Sequence, residues 1–461
     1  MRKLAASPYR LLLLLALIFG ALEVYVYFID VPARQEAREI QTREEQLLHL
    51  GYRQIDKLTW TTPREHFAMI KDEHDRWWIT EPVQAQADSR EVRKILRALV
   101  LGKISRVIDE QGTAADKFGL APPHLIITAT AGDRTERLEL GDPGPLSSTL
   151  YVRKGTEGPI VLTSLNVRTF AQKSLDHFRR KDILSFDHQH ITRIDLEQRG
   201  ELITLVRATG IHGITHHWRI VHPIKASGDA TRILGLLMHL NDLTAQGFVD
   251  SEQDKQRLLA ALSPPQTTVT LHTPKRELRI ALYQAPGSAE AYAMTTPDQP
   301  LFRIDPASLK QVAKSLFLLR DKRLFGLMPE ELAMLTIHTP TDQYTLIRQT
   351  GEWVLEDDPT LPLNQKLIQL FVSRIADLPA ELPVRAEPAP PNDFGFAEPS
   401  AVFTGKDRRG LDRGNLILGK VQGGLVYAKG AGLPGVFQAQ SLILTQIPTR
   451  QELIVAPAEN D

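Results

Sequence analysis

The chain has 461 residues, enough for two to four domains at roughly 100 to 200 residues each. Lysine plus arginine equals aspartate plus glutamate at 55 each, so no net field draws it onto nucleic acid or an acidic surface, and partners must be met through local patches. Cysteine is absent, which excludes disulfides, thiolate metal sites and cysteine nucleophiles.

Residues 1–10 carry Arg2, Lys3 and Arg10, and the run from Leu11 to Ile29 has Glu23 as its single charge. That run approaches the roughly 20 residues a bilayer requires, and it predicts a transmembrane anchor at 11–29. A cleaved leader would have an apolar core of about 7 to 15 residues, whereas Val24, Tyr25, Val26, Tyr27 and Phe28 continue the run, so the anchor is expected to be retained. Cations ahead of the span place the N-terminus in the cytoplasm and the bulk outside it. Residues 30–51, rich in interleaved charges such as Arg34, Glu36, Arg38 and Glu39, predict a solvated helical stalk ended by Gly51.

Beyond Gly51 the chain repeats itself. Trp77, Trp218 and Trp353 each stand eleven residues before a helix-capping residue, Asp88, Asp229 and Asn364. In the first copy Glu91 predicts a capping box. Apolar residues then fall at offsets four, seven, eight and eleven from each cap: Val92, Ile95, Leu96 and Leu99, and their counterparts starting at Ile233 and Ile368. That spacing writes one buried helical stripe three times. FGLAPP, AALSPP and FGFAEP follow at matching distances, then alternating strands around Tyr151, Tyr292 and Tyr427, and then a closing helix. The expectation is an α+β protein of mainly antiparallel sheets in three repeats, residues 52–187, 188–327 and 328–455, with a tail at 456–461. The third copy departs most, with Asp357, Asp358, Pro359 and Pro362 in its turn and the proline-rich RAEPAPPND at 385–393.

The anchor, WWITEPVQAQAD, DKFGLAPP, LELGD, LYVRKG, IVLTS and DHFRRKDILSF together resemble the bacterial family catalogued as domain of unknown function 4340. The resemblance implies a single-pass inner-membrane protein, its bulk periplasmic, that accompanies gliding-motility-type ABC transport systems as an auxiliary component. It implies no catalytic residue.

The residues themselves carry no phosphate loop, nucleophile elbow, zinc helix or Ser-x-x-Lys pair, so neither nucleotide binding nor enzymatic activity is expected, and no cofactor. The histidines of IHGITHHWRIVH, His212, His216 and His217 with His222 beyond, are candidate Zn²⁺ or Cu²⁺ ligands, against the plainer reading of a polar hairpin face. Trp77, Trp218 and Trp353 read as core. Trp78 has no tryptophan counterpart, since Arg219 and Val354 stand there, and is the candidate partner contact. The favoured function is a membrane-anchored accessory subunit acting through protein–protein contact with an ABC-type permease. The alternatives are an envelope enzyme or metal protein built on the histidines, and an envelope tether or assembly factor.

Overall fold

The computed structural model describes residues 46–146, 149–163, 173–209, 216–385 and 393–455. The expected anchor at 11–29 lies outside them, and among the described residues no helix is long and apolar enough to cross a membrane. The described chain is α+β, with three mainly antiparallel sheets and short helices. It divides into two compact units. One takes in the chain up to Ser185 with Leu243–Ser263 and Gln284–Asp305; the other takes in Phe186–Asp242, Pro264–Tyr283 and the chain from Pro306.

In the first unit the first repeat builds one nine-stranded sheet. Its strands are β1 (Lys57–Thr61), β2 (His66–Lys71), β3 (Trp77–Glu81), β4 (Ala85–Gln86), β5 (Ile104–Asp109), β6 (Leu125–Ala131), β7 (Arg134–Pro143), β8 (Leu150–Lys154) and β9 (Ile160–Thr163). They lie in the order β4-β3-β2-β1-β6-β7-β8-β9-β5. Period-two alternation turns Leu58, Trp60, Phe67, Met69, Trp77 and Ile79 to one face, where all are buried. Helix α1 (Ser89–Val100) lays Val92, Ile95, Leu96 and Leu99 on that face. The one-turn helix α2 (Leu175–Phe178) closes the core with Phe178, whose ring meets Trp60 at 5.2 Å. Each such side chain contributes about 1.5–3 kcal/mol on burial.

The second repeat supplies strands to both units. In the second unit β10 (Arg193–Gln198), β11 (Glu201–Thr209), β12 (His216–His222), β13 (Ala226–Ser227), β15 (Thr267–His272) and β16 (Glu277–Tyr283) run β13-β12-β11-β10-β15-β16. Helix α3 (Ala230–Asn241) buries Ile233, Leu236, Leu237 and Leu240. In the first unit β14 (Gly247–Val249) pairs with β18 (Leu301–Ile304), which pairs with β17 (Ala291–Met294). Helix α4 (Glu252–Leu262), capped by Ser251, runs up to SPP, an element the sequence reading did not anticipate. The expected closing helix is broken in two, α5 (Ala307–Val312) and α6 (Leu316–Leu319), because Ser315 caps the second piece by accepting the Leu318 N–H.

The third repeat, in the second unit, forms β19 (Leu332–His338), β20 (Gln343–Gln349), β21 (Glu352–Leu355), β22 (Leu382–Arg385), β23 (Ala401–Asp407), β24 (Asp412–Gln422), β25 (Leu425–Gly430) and β26 (Leu433–Gln440). The order β21-β20-β19-β23-β24-β25-β26-β22 matches the first sheet without a counterpart of β4, the stretch where Pro359 and Pro362 stand. Proline lacks the N–H that a ladder needs. Helix α7 (Gln365–Ala376) covers the core, and α8 (Arg450–Leu453) closes it with Leu453.

One expectation changes here. Residues 46–50, placed by sequence in a solvated helical stalk, contain no helix: Gln46 bridges Lys103, the Leu47 N–H donates to the Gly102 carbonyl at 2.9 Å, and Leu47, Leu48 and Leu50 are buried. The same place is taken at the next repeat by Asp182, which bridges Thr244, and at the third by Arg323, which bridges Pro379. An incoming segment therefore completes each repeat.

Candidate functional site

The residues that stand out in the sequence are spent on architecture. Trp77, Trp218 and Trp353 are 1%, 4% and 2% exposed and anchor the sheet under the capped helices. Asp88 accepts the Arg90 and Glu91 N–H groups at 2.9 and 3.3 Å, Asp229 that of Arg232 at 3.0 Å, and Asn364 that of Leu367 at 3.1 Å. The capping box expected from Glu91 does not form. The Asp88 N–H that Glu91 would accept already donates to the Phe178 carbonyl at 2.7 Å, and Glu91 turns instead to His177 at 3.2 Å and Lys94 at 3.7 Å. A capping box does form at Thr449 and Glu452, which sequence reasoning missed although T-x-x-E is its signature.

Trp78 is half-buried; its indole N–H donates to Asp72 at 3.0 Å and the Arg76 guanidinium lies 5.9 Å from its ring. That hydrogen bond leads the set that holds the Asp72 carboxyl well below the usual range. Of the candidate metal ligands, His212 lies outside the described residues and His216 is placed by its backbone alone, at the start of β12. His217 is exposed and paired in register with Ala208, while Trp218 and Ile220 are buried. Among the described residues no three histidine, aspartate or glutamate side chains group as a metal site.

A cleft of about 850 Å³ lies in the second unit, between the end of the second repeat and the start of the third. The chain passing from Ser315 to Glu331, the edge of β13, and β22 with β26 wall it. Phe317 and Phe437 stack in it with centroids 6.2 Å apart and 13° between planes. Four cations, Lys225, Arg320, Arg323 and Arg385, and three acids, Glu201, Asp321 and Glu331, line it. Arg323 is spoken for, since Asp321 takes its Nε at 3.1 and 3.0 Å and its Nη2 more closely still, which holds Arg323 above the ordinary arginine value. Arg320 differs. Its Nε is buried without a hydrogen-bond partner among the described residues, and burial pushes it below the ordinary arginine value against the pull of Asp321. Neither Lys225 nor Arg385 has an ion pair among the described residues. Sequence reasoning passed over this cleft because its walls come from segments more than 200 residues apart, from Glu201 to Phe437.

This geometry describes a repeat protein with an aromatic-walled cleft of mixed charge in its second unit. The chain belongs to the family described as domain of unknown function (DUF4340), which matches residues 77–261 and 218–381. The two matches overlap and begin on Trp77 and Trp218, the first two repeat tryptophans. Comparison with curated proteins finds no match. Among solved structures, the DNA polymerase III subunit beta from Borrelia burgdorferi aligns over 88% of this chain and 95% of that one at 7% identity, with a TM-score of 0.11 that carries no argument about fold or function.

Proposed function

We propose that the chain is a membrane-anchored, extracytoplasmic accessory subunit that works by binding, as a partner of an inner-membrane ABC-type permease, and that it catalyses nothing itself. The observation that supports this reading is the threefold recurrence of one architecture, in which the tryptophans and caps are consumed by the core and the outer strand faces are left for contact. Repeat arrays commonly present extended binding surfaces of this kind. The apolar run at 11–29 supplies the anchor and its flanking cations the orientation.

Crosslinking in intact membranes, followed by mild-detergent purification of the full chain, tests it. Recovery of a membrane permease in fixed ratio is the expected result, and recovery of the chain alone would sink the proposal. An alkaline phosphatase fusion after Gly51 checks the topology separately: it is expected to be active, and an inactive fusion reverses the orientation.

A further inference from the structure

Helix α1 of the first repeat carries a cationic stripe that its counterparts lack. Arg90, Arg93, Lys94 and Arg97 follow the i, i+3, i+4, i+7 spacing that puts side chains on one helix face, away from the buried Val92, Ile95, Leu96 and Leu99. All four are exposed. Leu101, four residues further, caps the helix in a helical conformation and continues the stripe, 58% exposed, and the exposed Lys103 follows it. Acids neutralise little of this face. Arg90 lies 3.9 Å from Asp88 and Lys94 3.7 Å from Glu91, and Glu91 is shared with His177 and Lys173. Arg93, Arg97 and Lys103 have no ion pair among the described residues. A face that serves solubility alone mixes the two signs.

The other repeats fill the same positions differently. Counted from the repeat tryptophans, α3 has no cation at the four places and α7 has one, Lys366; where Leu101 stands they have Asp242 and Asp377. The stripe also stands where the chain from the apolar run arrives. Gln46 bridges Lys103 and the Leu47 N–H donates to the Gly102 carbonyl, so that chain enters the first unit beside the C-terminal end of α1. Even fully extended, residues 30–45 reach no further than roughly 50–60 Å. A short tether holds a surface near its target at an effective concentration on the order of millimolar, so a weak attraction suffices. Each lysine or arginine near an anionic membrane strengthens attachment roughly fivefold, within a Debye length of about 8 Å, and an exposed leucine can sink into the headgroup boundary.

We propose that α1 lies against the anionic phospholipid surface of the membrane that holds the anchor, with Arg93, Lys94, Arg97 and Lys103 on the headgroups and Leu101 in the interface. This rests on the membrane-anchored part of the function proposed above, and adds to it the face by which the first unit meets the bilayer.

The test reconstitutes the full chain in vesicles of phosphatidylcholine and in vesicles that also hold phosphatidylglycerol. The chain has no cysteine, so L101C and its counterpart in the second repeat, D242C, each take a single fluorescent label. In the anionic vesicles, quenching by a headgroup nitroxide lipid is expected to be at least about threefold stronger at position 101 than at 242. R93Q/K94Q/R97Q in the L101C background, with wild-type circular dichroism, is expected to remove that difference, as are molar salt and pure phosphatidylcholine. Equal quenching at the two positions in a chain that floats with the vesicles would overturn this proposal and leave the anchor standing. Failure to float with either vesicle in molar salt would overturn the anchor and this proposal with it. Quenching unchanged by the triple substitution overturns it too, and shielding of the label in native membranes alone assigns the face to a protein and does the same.

Discussion

The backbone of Trp353 is held on both sides by the side chain of Gln365: its N–H donates to the Gln365 Oε1 at 2.8 Å and its carbonyl accepts from the Gln365 Nε2 at 2.7 Å. In the first repeat these jobs are divided, the Trp77 N–H going to the Ser89 hydroxyl at 2.9 Å and its carbonyl accepting the Ala87 N–H at 2.9 Å. The third repeat has no counterpart of β4, and one amide side chain substitutes for part of a strand. Gln365→Ala leaves two part-buried backbone groups unpaired and is expected to destabilise the second unit by about 2–4 kcal/mol, with Ser89→Ala costing the first unit about 1 kcal/mol. Urea unfolding of each variant checks the ranking; equal midpoints would contradict the substitution of side chain for strand.

The two adjacent tryptophans are expected to separate in their effects. Trp77→Ala empties a core position and should cost about 3–5 kcal/mol in denaturant unfolding. Trp78→Ala removes one part-buried hydrogen bond to Asp72 and should cost about 1 kcal/mol, while reducing permease recovery in crosslinking. Undiminished recovery would exclude Trp78 from the contact.

Leu48 tests the foot of the expected stalk. It is fully buried in the first core, so Leu48→Ala is expected to cost about 2–5 kcal/mol, where a stalk residue would cost almost nothing. Thermal unfolding of the variant distinguishes the two.

Tyr344 donates its hydroxyl to the Pro448 carbonyl at 2.5 Å across the buried side of the third repeat, and burial pushes the phenol above its ordinary value. Tyr344→Phe orphans that carbonyl and is expected to lower stability by about 1–3 kcal/mol. A loss below a few tenths in urea unfolding would show the carbonyl repaired by another donor.

Asp176 gives a pH dependence. Burial raises its carboxyl above the ordinary value; Arg179 opposes this, the carboxylates of Asp250 and Glu65 add to it, and Arg303 opposes it. The folded chain therefore takes up the proton at a higher pH than the unfolded chain, whose aspartate titrates near 3.9. Stability from this group is fully present below the unfolded value and declines as pH rises through the raised folded value. Asp176→Asn is expected to flatten that decline and to be the more stable protein near neutrality, read as urea midpoints at about pH 4, 5, 6 and 7. A decline that persists unchanged in the variant assigns it elsewhere.

How much of this was readable from residues alone follows from where each signal resides. The capped helices were legible because Asp88, Asp229 and Asn364 and the stripes behind them are local and repeat at fixed spacing. The antiparallel strands around Tyr151, Tyr292 and Tyr427 were legible for the same reason. Glu91 misled because its competitor for the Asp88 N–H, the Phe178 carbonyl, lies ninety residues away. The break at Ser315 depends on a single cap within a run that reads as continuous. The pairing of β14 with β18 at Phe248 and of β22 with β26 at Pro383 carries no local sign, since each partner lies more than fifty residues further along the chain. The exchange of Phe248 for Pro383 is likewise invisible without the ladder.

The short segment at 46–50 sets a polarity on the whole array. The slot it fills at the first repeat is the one the outgoing chain fills at the second and third, so no repeat is left with an empty receiving slot. Another copy could not append itself ahead of the first repeat without displacing Leu47 and Leu48 from the core. Growth by head-to-tail addition, the hazard of any array of like parts, is blocked at that end by five residues rather than by a dedicated capping repeat.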